Sequence, residues 1–374
     1  MSWEKKPLEV VADFCLGKML DQKKNKGELL PYLANVNVRW GSFDLDDLRE
    51  MRFEHHELDR YGLKSGDIVM CEGGEPGRCA LWKGQKPGMM IQKALHRIRS
   101  HSCLLSEFLF YYLLYIGRTG HLAPLFTGAT IKHLPREKLA KVEVMVPPLG
   151  TQTRIASILS AYDDLIENNR RRIQLLEQVA RLLYKEWFVR LRFPGHEHVK
   201  VKDGVPEGWE RKRLFDLCTD IRESIDPKTL PPENAYIGLE HIPRRSITLS
   251  DWGTAAKISS SKFKFTEGDI LFGKIRPYFH KVGFTLVGGI TSSDAIVIRA
   301  TNRLFYHYVL LLLSSDEFVS LASKTVREGS KMPRADWKFL LKSEFNHPAK
   351  AVLELFNNSM KPICAQLKSL ALHN

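Results

Sequence analysis

Residues 159–187, LSAYDDLIENNRRRIQLLEQVARLLYKEW, decide the fold of this chain. Apolar residues recur in this stretch at alternating spacings of three and four, which is the 3.5-residue period of a coiled-coil seam. No Gly or Pro interrupts residues 151–190, so the sequence predicts a helix of about 60 Å at 1.5 Å per residue. One polar seam residue, Asn169, is expected to fix the register of a partner helix. The predicted seam consists of Leu159, Tyr162, Ile166, Asn169, Ile173, Leu176, Ala180, Leu183 and Trp187.

A second, shorter seam follows Pro348 and has the same alternating spacing. Pro362 lies inside it and predicts a kink. To bury its seam on the first helix, the second helix must run back along it, which predicts an antiparallel pair. The alternative is an ordinary amphipathic helix buried within one large domain. The second seam consists of Leu353, Phe356, Met360, Ile363, Leu367 and Leu370.

Short segments of the first 150 residues return in the same order 195 to 206 positions later. Each copy has short strand-like runs, a Gly-Asp turn, an apolar strand and a helix-like apolar stretch, as expected for a mixed α/β domain. Coincidence is the alternative, but several matches in one order favour a duplication. The matches include residues 3–8 with 209–214, 63–69 with 265–271, 109–112 with 304–307, and 134–136 with 332–334.

The predicted fold class is therefore α+β. It consists of two tandem α/β domains in a pseudo-twofold arrangement, separated by long antiparallel coiled-coil helices. The predicted boundaries are a first domain at 1–148, a central helix at 149–193, a second domain at 194–348 and a distal helix at 349–374.

The composition favours a polyanionic partner. The chain has 56 Lys and Arg against 43 Asp and Glu, a net charge of +13, and the excess is spread over its whole length. Such a charge attracts nucleic acid. Six scattered Cys without a C-x-x-C pair, no signal peptide and no apolar stretch long enough to span a bilayer together predict a cytoplasmic protein.

The sequence lacks the usual catalytic motifs. It has no H-E-x-x-H, no G-x-x-x-x-G-K-[ST] and no Asn-Pro-Pro-Tyr of an amino-methyltransferase. Gly73–Gly77 contains Pro76, which removes an amide that a phosphate-binding loop would use, so a hairpin loop is predicted. His55 and His56 are adjacent and have no evident third metal ligand. We therefore expect a non-catalytic chain without a metal or cofactor of its own.

Basic and aromatic residues interleave on two predicted loops of each copy, as duplex recognition requires. Equivalent loops with different side chains would allow two copies of one fold to recognise two different DNA sequences. The alternative for each residue is a solvated charge on a hairpin. The DNA-binding candidates are Arg78, Lys83, Lys132 and Arg136 in the first copy, and Lys274, Arg276, Tyr278, Lys281, Lys331 and Arg334 in the second.

The central region resembles the specificity (S) subunit of type I restriction–modification enzymes. The resemblance rests on Val146-Pro147-Pro148-Leu149, on residues 159–169 and 170–177, and on 180–188, ARLLYKEWF. The paired Gly-Asp-Ile turns and the Gly-Trp-Glu segment at Gly208 also resemble this family, and the likeness extends over essentially the whole chain.

This resemblance implies that each copy is a target recognition domain that reads one half of a bipartite double-stranded DNA target. The helices would set the spacing between half-sites and dock modification (methyltransferase) subunits, which use S-adenosylmethionine. Restriction subunits, which use ATP, would bind through them. The distal helix is shorter than the family's usual distal region, which suggests a truncated second helix. Two other functions stay open, a two-headed coiled-coil interaction scaffold that does not bind DNA and a self-contained nuclease or methyltransferase.

Overall fold

The computed structural model describes residues 3–21, 25–326 and 332–373, and it forms two compact units, Met1–Asp164 and Leu165–Asn374. The division falls inside one long helix, Leu149–Tyr184. The domain boundaries predicted from the sequence are not tested by this division and stay predictions. The candidate Lys331 lies outside the described residues.

The first unit combines two small sheets with a helical layer. Its main sheet has the strand order β2-β8-β5-β6, and a second sheet has the order β4-β3-β7. Leu109 and Leu113 pack against the main sheet in a shared core, because the apolar face of their helix is turned inward. The elements are β1 (Glu4–Pro7), α1 (Leu8–Val11), β2 (Ala12–Leu16), β3 (Glu28–Leu33), β4 (Arg49–Phe53), α2 (Leu58–Tyr61), β5 (Ile68–Cys71), β6 (Cys79–Leu81), β7 (Met90–Ile91), β8 (Leu95–Ser100), α3 (Ser106–Arg118), α4 (Arg136–Ala140), β9 (Glu143–Val146) and α5 (Leu149–Tyr184).

The second unit contains the end of α5 and a larger pair of sheets, with strand orders β13-β22-β19-β20-β16 and β14-β18-β21-β15-β17. The elements are β10 (Val201–Lys202), β11 (Val205–Pro206), β12 (Glu210–Arg213), α6 (Leu214–Leu217), β13 (Cys218–Ile221), β14 (Ser224–Ile225), β15 (Ala235–Ile237), β16 (Thr248–Leu249), β17 (Gly253–Thr254), β18 (Lys262–Phe265), β19 (Ile270–Gly273), β20 (Val282–Thr285), β21 (Gly289–Thr291), β22 (Ala295–Ala300), α7 (Tyr306–Ser314), α8 (Asp316–Lys324), α9 (Trp337–Lys342), β23 (Glu344–His347) and α10 (Lys350–Leu372).

The two units repeat the same strand pairings. In each, a strand near the beginning pairs antiparallel with the last strand, β1 with β9 and β12 with β23, with Glu4 opposite Val146 and Glu210 opposite His347. In each, the strand after the Gly-Asp turn pairs antiparallel with the same two neighbours, β5 with β6 and β8, and β19 with β20 and β22. A parallel pair also recurs, β3 with β7 and β15 with β21. The chain is α+β, as the sequence predicts.

The end of α5 packs against α10 inside the second unit. Rings of Trp187 and Phe188 contact Phe356 at centroid distances of 5.6 and 4.7 Å, so the end of α5 lies beside the beginning of α10, as in an antiparallel pair. α10 continues through Pro362, so this proline does not end the helix. The seam residues in this core are Ile173, Leu176, Ala180, Leu183, Trp187, Leu353, Phe356, Met360, Ile363 and Leu367.

The structure corrects the predicted seam at its beginning. Leu159 and Tyr162 are 38% and 65% exposed, whereas Asn169 and Leu370 are buried. α10 has 23 residues and α5 has 36, about 35 and 54 Å at helical rise, so α10 is too short to cover the whole seam. A turn of π-helix, Lys185–Val189, follows α5, and the adjacent rings of Trp187 and Phe188 are both buried there.

No single helix among the described residues is long and apolar enough to span a membrane. One bent pair, residues 303–314 and 316–324, passes that test by length and composition. Its apolar residues, such as Leu310 and Leu313, lie in the core of the second unit.

Candidate nucleic-acid interface

The Gly-Asp turn of each unit is held by a buried carboxylate. Asp67 accepts a hydrogen bond from the amide of Lys64 at 2.7 Å and two from the Arg99 guanidinium, both at 2.7 Å. Asp269 accepts the equivalent bonds from the amide of Thr266 at 2.8 Å and from Arg299 at 2.8 and 2.7 Å. The motif is thus a structural clamp that fixes the strand leading to the candidate loop.

The two predicted basic loops come together in each unit. In the second unit, Ile275 bridges to Arg334, and the amide of Arg276 donates to the carbonyl of Pro333 at 2.8 Å. In the first unit, Gly73 bridges to His133 in the same way. The structure therefore places the loop of Arg78 beside that of Lys132, and the loop of Arg276 beside that of Arg334.

A third segment, residues 239–245, contacts the Arg276 loop of the second unit, and it was not among the predicted interface segments. The amide of Arg245 donates to the carbonyl of His280 at 3.1 Å. The guanidinium carbon of Arg244 lies 3.8 Å from the ring centroid of Phe279. The basic pair Arg244-Arg245 was visible in the sequence, but it lies more than 30 positions before the loop that it contacts.

Three residues of this cluster have a left-handed backbone, which costs a residue with a side chain about 1–2 kcal/mol. They are Arg245, Arg276 and His280, with φ of 55°, 48° and 50°. The loop between Arg276 and His280 is a single turn of 3-10 helix containing Pro277. Strain of this kind persists where the surrounding structure fixes the backbone, and it concentrates at functional sites.

The candidate cations of the second unit differ in whether they already have partners. The Lys281 ammonium donates to the carbonyl of Leu239, and burial together with the nearby Arg244 lowers the pKa of Lys281. Arg334 pairs with Asp294 at 3.1 Å. Arg276 is exposed, as is Tyr278, which is 51% exposed. Lys274 is half-buried at the base of the loop.

The candidate cations of the first unit show the same division. The guanidinium of Arg78 donates to Glu75 at 2.6 Å and to the carbonyl of Asn35 at 2.8 Å. Lys83 lies 3.5 Å from Asp164, at the other end of β6 from Arg78. Arg136 lies over the ring of Phe14. Lys132 is exposed and, within the described part of the chain, has no ion pair.

An aromatic residue and an arginine also meet beside the loops of the first unit. Arg118 lies 5.9 Å from the ring centroid of Trp40, whose indole N–H donates to Glu75 at 2.6 Å. These residues line an open groove together with Phe126 and Lys132. Each unit therefore presents a guanidinium beside a ring at its paired loops.

No group of three or more His, Cys, Asp and Glu residues suited to a metal ion occurs in the parts of the chain that the structure describes. His55 and His56 are both exposed. Among the described residues, buried side-chain atoms of Arg78, His96 and Arg97 have no hydrogen-bond partner.

Residues 2–178 match the family model of the type I restriction modification DNA specificity domain. Just under half of the chain is thus similar to the type I specificity domain. The chain is 26% identical over 277 residues to the type I restriction enzyme MjaIX specificity subunit of Methanocaldococcus jannaschii, covering 70% of this chain and 62% of the relative. It is 24% identical over 221 residues to the EcoDI specificity subunit of Escherichia coli, covering 52% and 49%. The chain thus spans less than two thirds of the length of either relative.

A solved specificity protein has the same fold. The crystal structure of the type I restriction–modification system S subunit from M. genitalium matches with a TM-score of 0.56 and 14% identity. The match covers 100% of this chain and 94% of that subunit.

In this chain, the central helix is bonded to the segment that carries Arg244. Glu177 Oε1 accepts hydrogen bonds from Ser246 Oγ at 2.7 Å and from the amides of Ile247 and Thr248 at 3.0 Å each. Arg181 donates both to Glu177 and to the carbonyl of Arg245. The helix and the candidate interface of the second unit are therefore one hydrogen-bonded assembly.

Proposed function

We propose that the chain is the DNA-reading subunit of a type I restriction–modification complex and that each unit reads one half of a bipartite duplex target. The observation that carries this proposal is that each unit brings two loops together through an equivalent backbone bridge. The loops of the two units carry different side chains. Gly73 and His133 meet in one unit, and Ile275 and Arg334 meet in the other. A net charge of +13 supports binding to phosphate in both halves.

We further propose that the chain supplies sequence recognition and spacing while partner subunits supply the chemistry, all in the cytoplasm. The modification subunits would use S-adenosylmethionine to methylate adenine, and the restriction subunits would use ATP. The chain itself would use neither cofactor. The match of residues 2–178 to the specificity domain and the absence of recognisable catalytic motifs in the sequence support this division.

Co-expression of the full chain with type I modification subunits tests the proposal. Methylated adenines are mapped across the host genome, with the modification subunits alone as the control. The expected result is methylation at one two-part sequence with a fixed gap, and only when the chain is present. Assembly of the complex without such methylation, and without salt-dependent binding to duplex DNA, would instead support an interaction scaffold.

A further inference from the structure

Two arginines of the second unit converge on one aromatic ring. Arg244 lies 3.8 Å and Arg276 6.0 Å from the ring centroid of Phe279, measured from the guanidinium carbons. Neither guanidinium has a carboxylate or carbonyl partner within the described ranges, and both side chains are exposed. Their neighbours Arg245 and Arg334 are instead paired with Asp316 and Asp294.

The first unit shows what the backbone at Arg276 requires. The equivalent bridges are Gly73 with His133 and Ile275 with Arg334, so the next residues, Gly74 and Arg276, occupy equivalent positions. Both have a left-handed backbone, with φ of 80° and 48°. Glycine adopts this conformation without steric cost, whereas arginine does not. A strained arginine at a position suited to glycine indicates that its side chain serves recognition.

The segment that carries Arg244 is fixed from two sides. The next residue, Arg245, binds Asp316 at 3.1 Å and His280 at 3.1 Å through its guanidinium. Glu177 of α5 holds the amides of Ile247 and Thr248. Arginine loses rotamer entropy when it is immobilised, and stacking on Phe279 reduces the part of that loss that remains when DNA binds.

A guanidinium stacked on a ring keeps its in-plane N–H groups free. These groups match a planar pair of acceptors, and in the major groove guanine N7 and O6 form such a pair. We propose that Arg244 and Arg276, with Phe279 as their shared stacking surface, form a two-guanidinium reader that selects guanine in the half-site of the second unit. This inference rests on the proposed function.

Selection from a pool of randomised duplexes tests the reader. The full chain, in complex with type I modification subunits, is compared as wild type, Arg244→Gln, Arg244→Lys and Phe279→Leu. Arg303→Gln is the matched control, because Arg303 is an exposed arginine of the same unit without a partner among the described residues. Sequencing of the bound duplexes gives the base preference at every position.

The wild type is expected to select guanine within one half-site. Both Arg244 variants should reduce that preference by about five- to 150-fold at one position, the range for one bidentate pair, and leave the other half-site unchanged. Phe279→Leu should reduce it less, and Arg303→Gln should not change it. A uniform loss of affinity in Arg244→Gln that Arg244→Lys restores would show a phosphate contact and overturn the reader. A wild type without any sequence preference would instead contradict the proposed function itself.

Discussion

Glu177 accepts a hydrogen bond from the backbone amide of Thr248 at 3.0 Å, although the two residues lie 71 positions apart. The carboxylate is 3% exposed and also holds Ser246 and Ile247. The Glu177 side chain of α5 thus holds the segment that follows Arg244, together with Arg181, which donates to the carbonyl of Arg245. The position of the candidate interface of the second unit against α5 depends on Glu177.

Glu177→Ala should lower the free energy of unfolding by about 3 kcal/mol, because buried amides lose a charged acceptor. Chemical denaturation of the full chain measures the loss. Glu186→Ala is the control on the neighbouring turns, since Glu186 forms ion pairs with Arg190 and Arg192 near the surface. Equal effects of the two variants would contradict the assigned role of Glu177.

The two Gly-Asp clamps should be equivalent in energy. Asp67→Asn and Asp269→Asn each remove the charge from a buried carboxylate that binds arginine through two bonds. Each variant should lose about 3 kcal/mol of stability, as when a buried pair loses one partner. Calorimetric unfolding measures both variants, with Asp59→Asn as an exposed control. Stability unchanged in either variant would show that its clamp contributes nothing.

Arg276→Gly should separate stability from recognition. Glycine relieves the left-handed strain, so the variant should be at least as stable as the wild type and about 1 kcal/mol more stable than Arg276→Ala. Both variants should lose the base preference of the second half-site. Denaturation and duplex selection are run on the same preparations. If Arg276→Gly were less stable than the wild type, the left-handed backbone at this position would not be strained. If either variant kept the base preference of the second half-site, Arg276 would not take part in recognition.

Stability should fall as the pH drops below about 6.5, the usual histidine pKa. Burial lowers the pKa of His96, so the unfolded chain binds a proton that the folded chain does not. The ring Nε2 lies 2.9 Å from the carbonyl oxygen of Leu134, and Nδ1 has no partner. Urea denaturation at pH 7.5 and 5.5 measures the loss, and His96→Gln should reduce it. The His96→Gln variant should still lose some stability at pH 5.5, because burial also lowers the pKa of His280, His307 and His347.

Phe356→Ala should cost about 3–5 kcal/mol, because this ring of α10 is fully buried and packs against Phe188 in the turn that follows α5. Leu355→Ala is the matched control, since Leu355 is 47% exposed on the next position of the same helix. Thermal unfolding of the two variants gives the difference. Similar melting temperatures would place α10 outside the core of the second unit.

The sequence predicted the duplication and the helices because both depend on local order and period. The repeated Gly-Asp turns and the seam from Ile173 to Trp187 are such features. The sequence pattern placed Leu159 and Tyr162 in the seam, because the spacing of apolar residues shows which face of a helix is apolar. The spacing does not show how long the partner helix is. It did not predict the burial of Phe188, which accompanies a π-turn that an α-helical period does not anticipate.

The candidate interface was less predictable. Sequence reasoning named Arg276 correctly as a residue of a basic loop, but it could not separate exposed cations from those with internal partners. Lys281 and Arg334 differ from Arg276 only through distant acceptors, Leu239 and Asp294. Arg244 and Phe279 were missed because their contact depends on tertiary folding. No local sequence pattern distinguishes Arg244, which lies over the ring of Phe279, from Arg245, which pairs with Asp316.

The most direct measurement is duplex selection with one variant in each unit, Lys132→Gln in the first and Arg276→Gln in the second. We expect the wild type to select a two-part sequence and each variant to broaden the preference in a different half. If both variants broadened the same half, or if the wild type selected one uninterrupted sequence, the claim of two independent reading units would be contradicted.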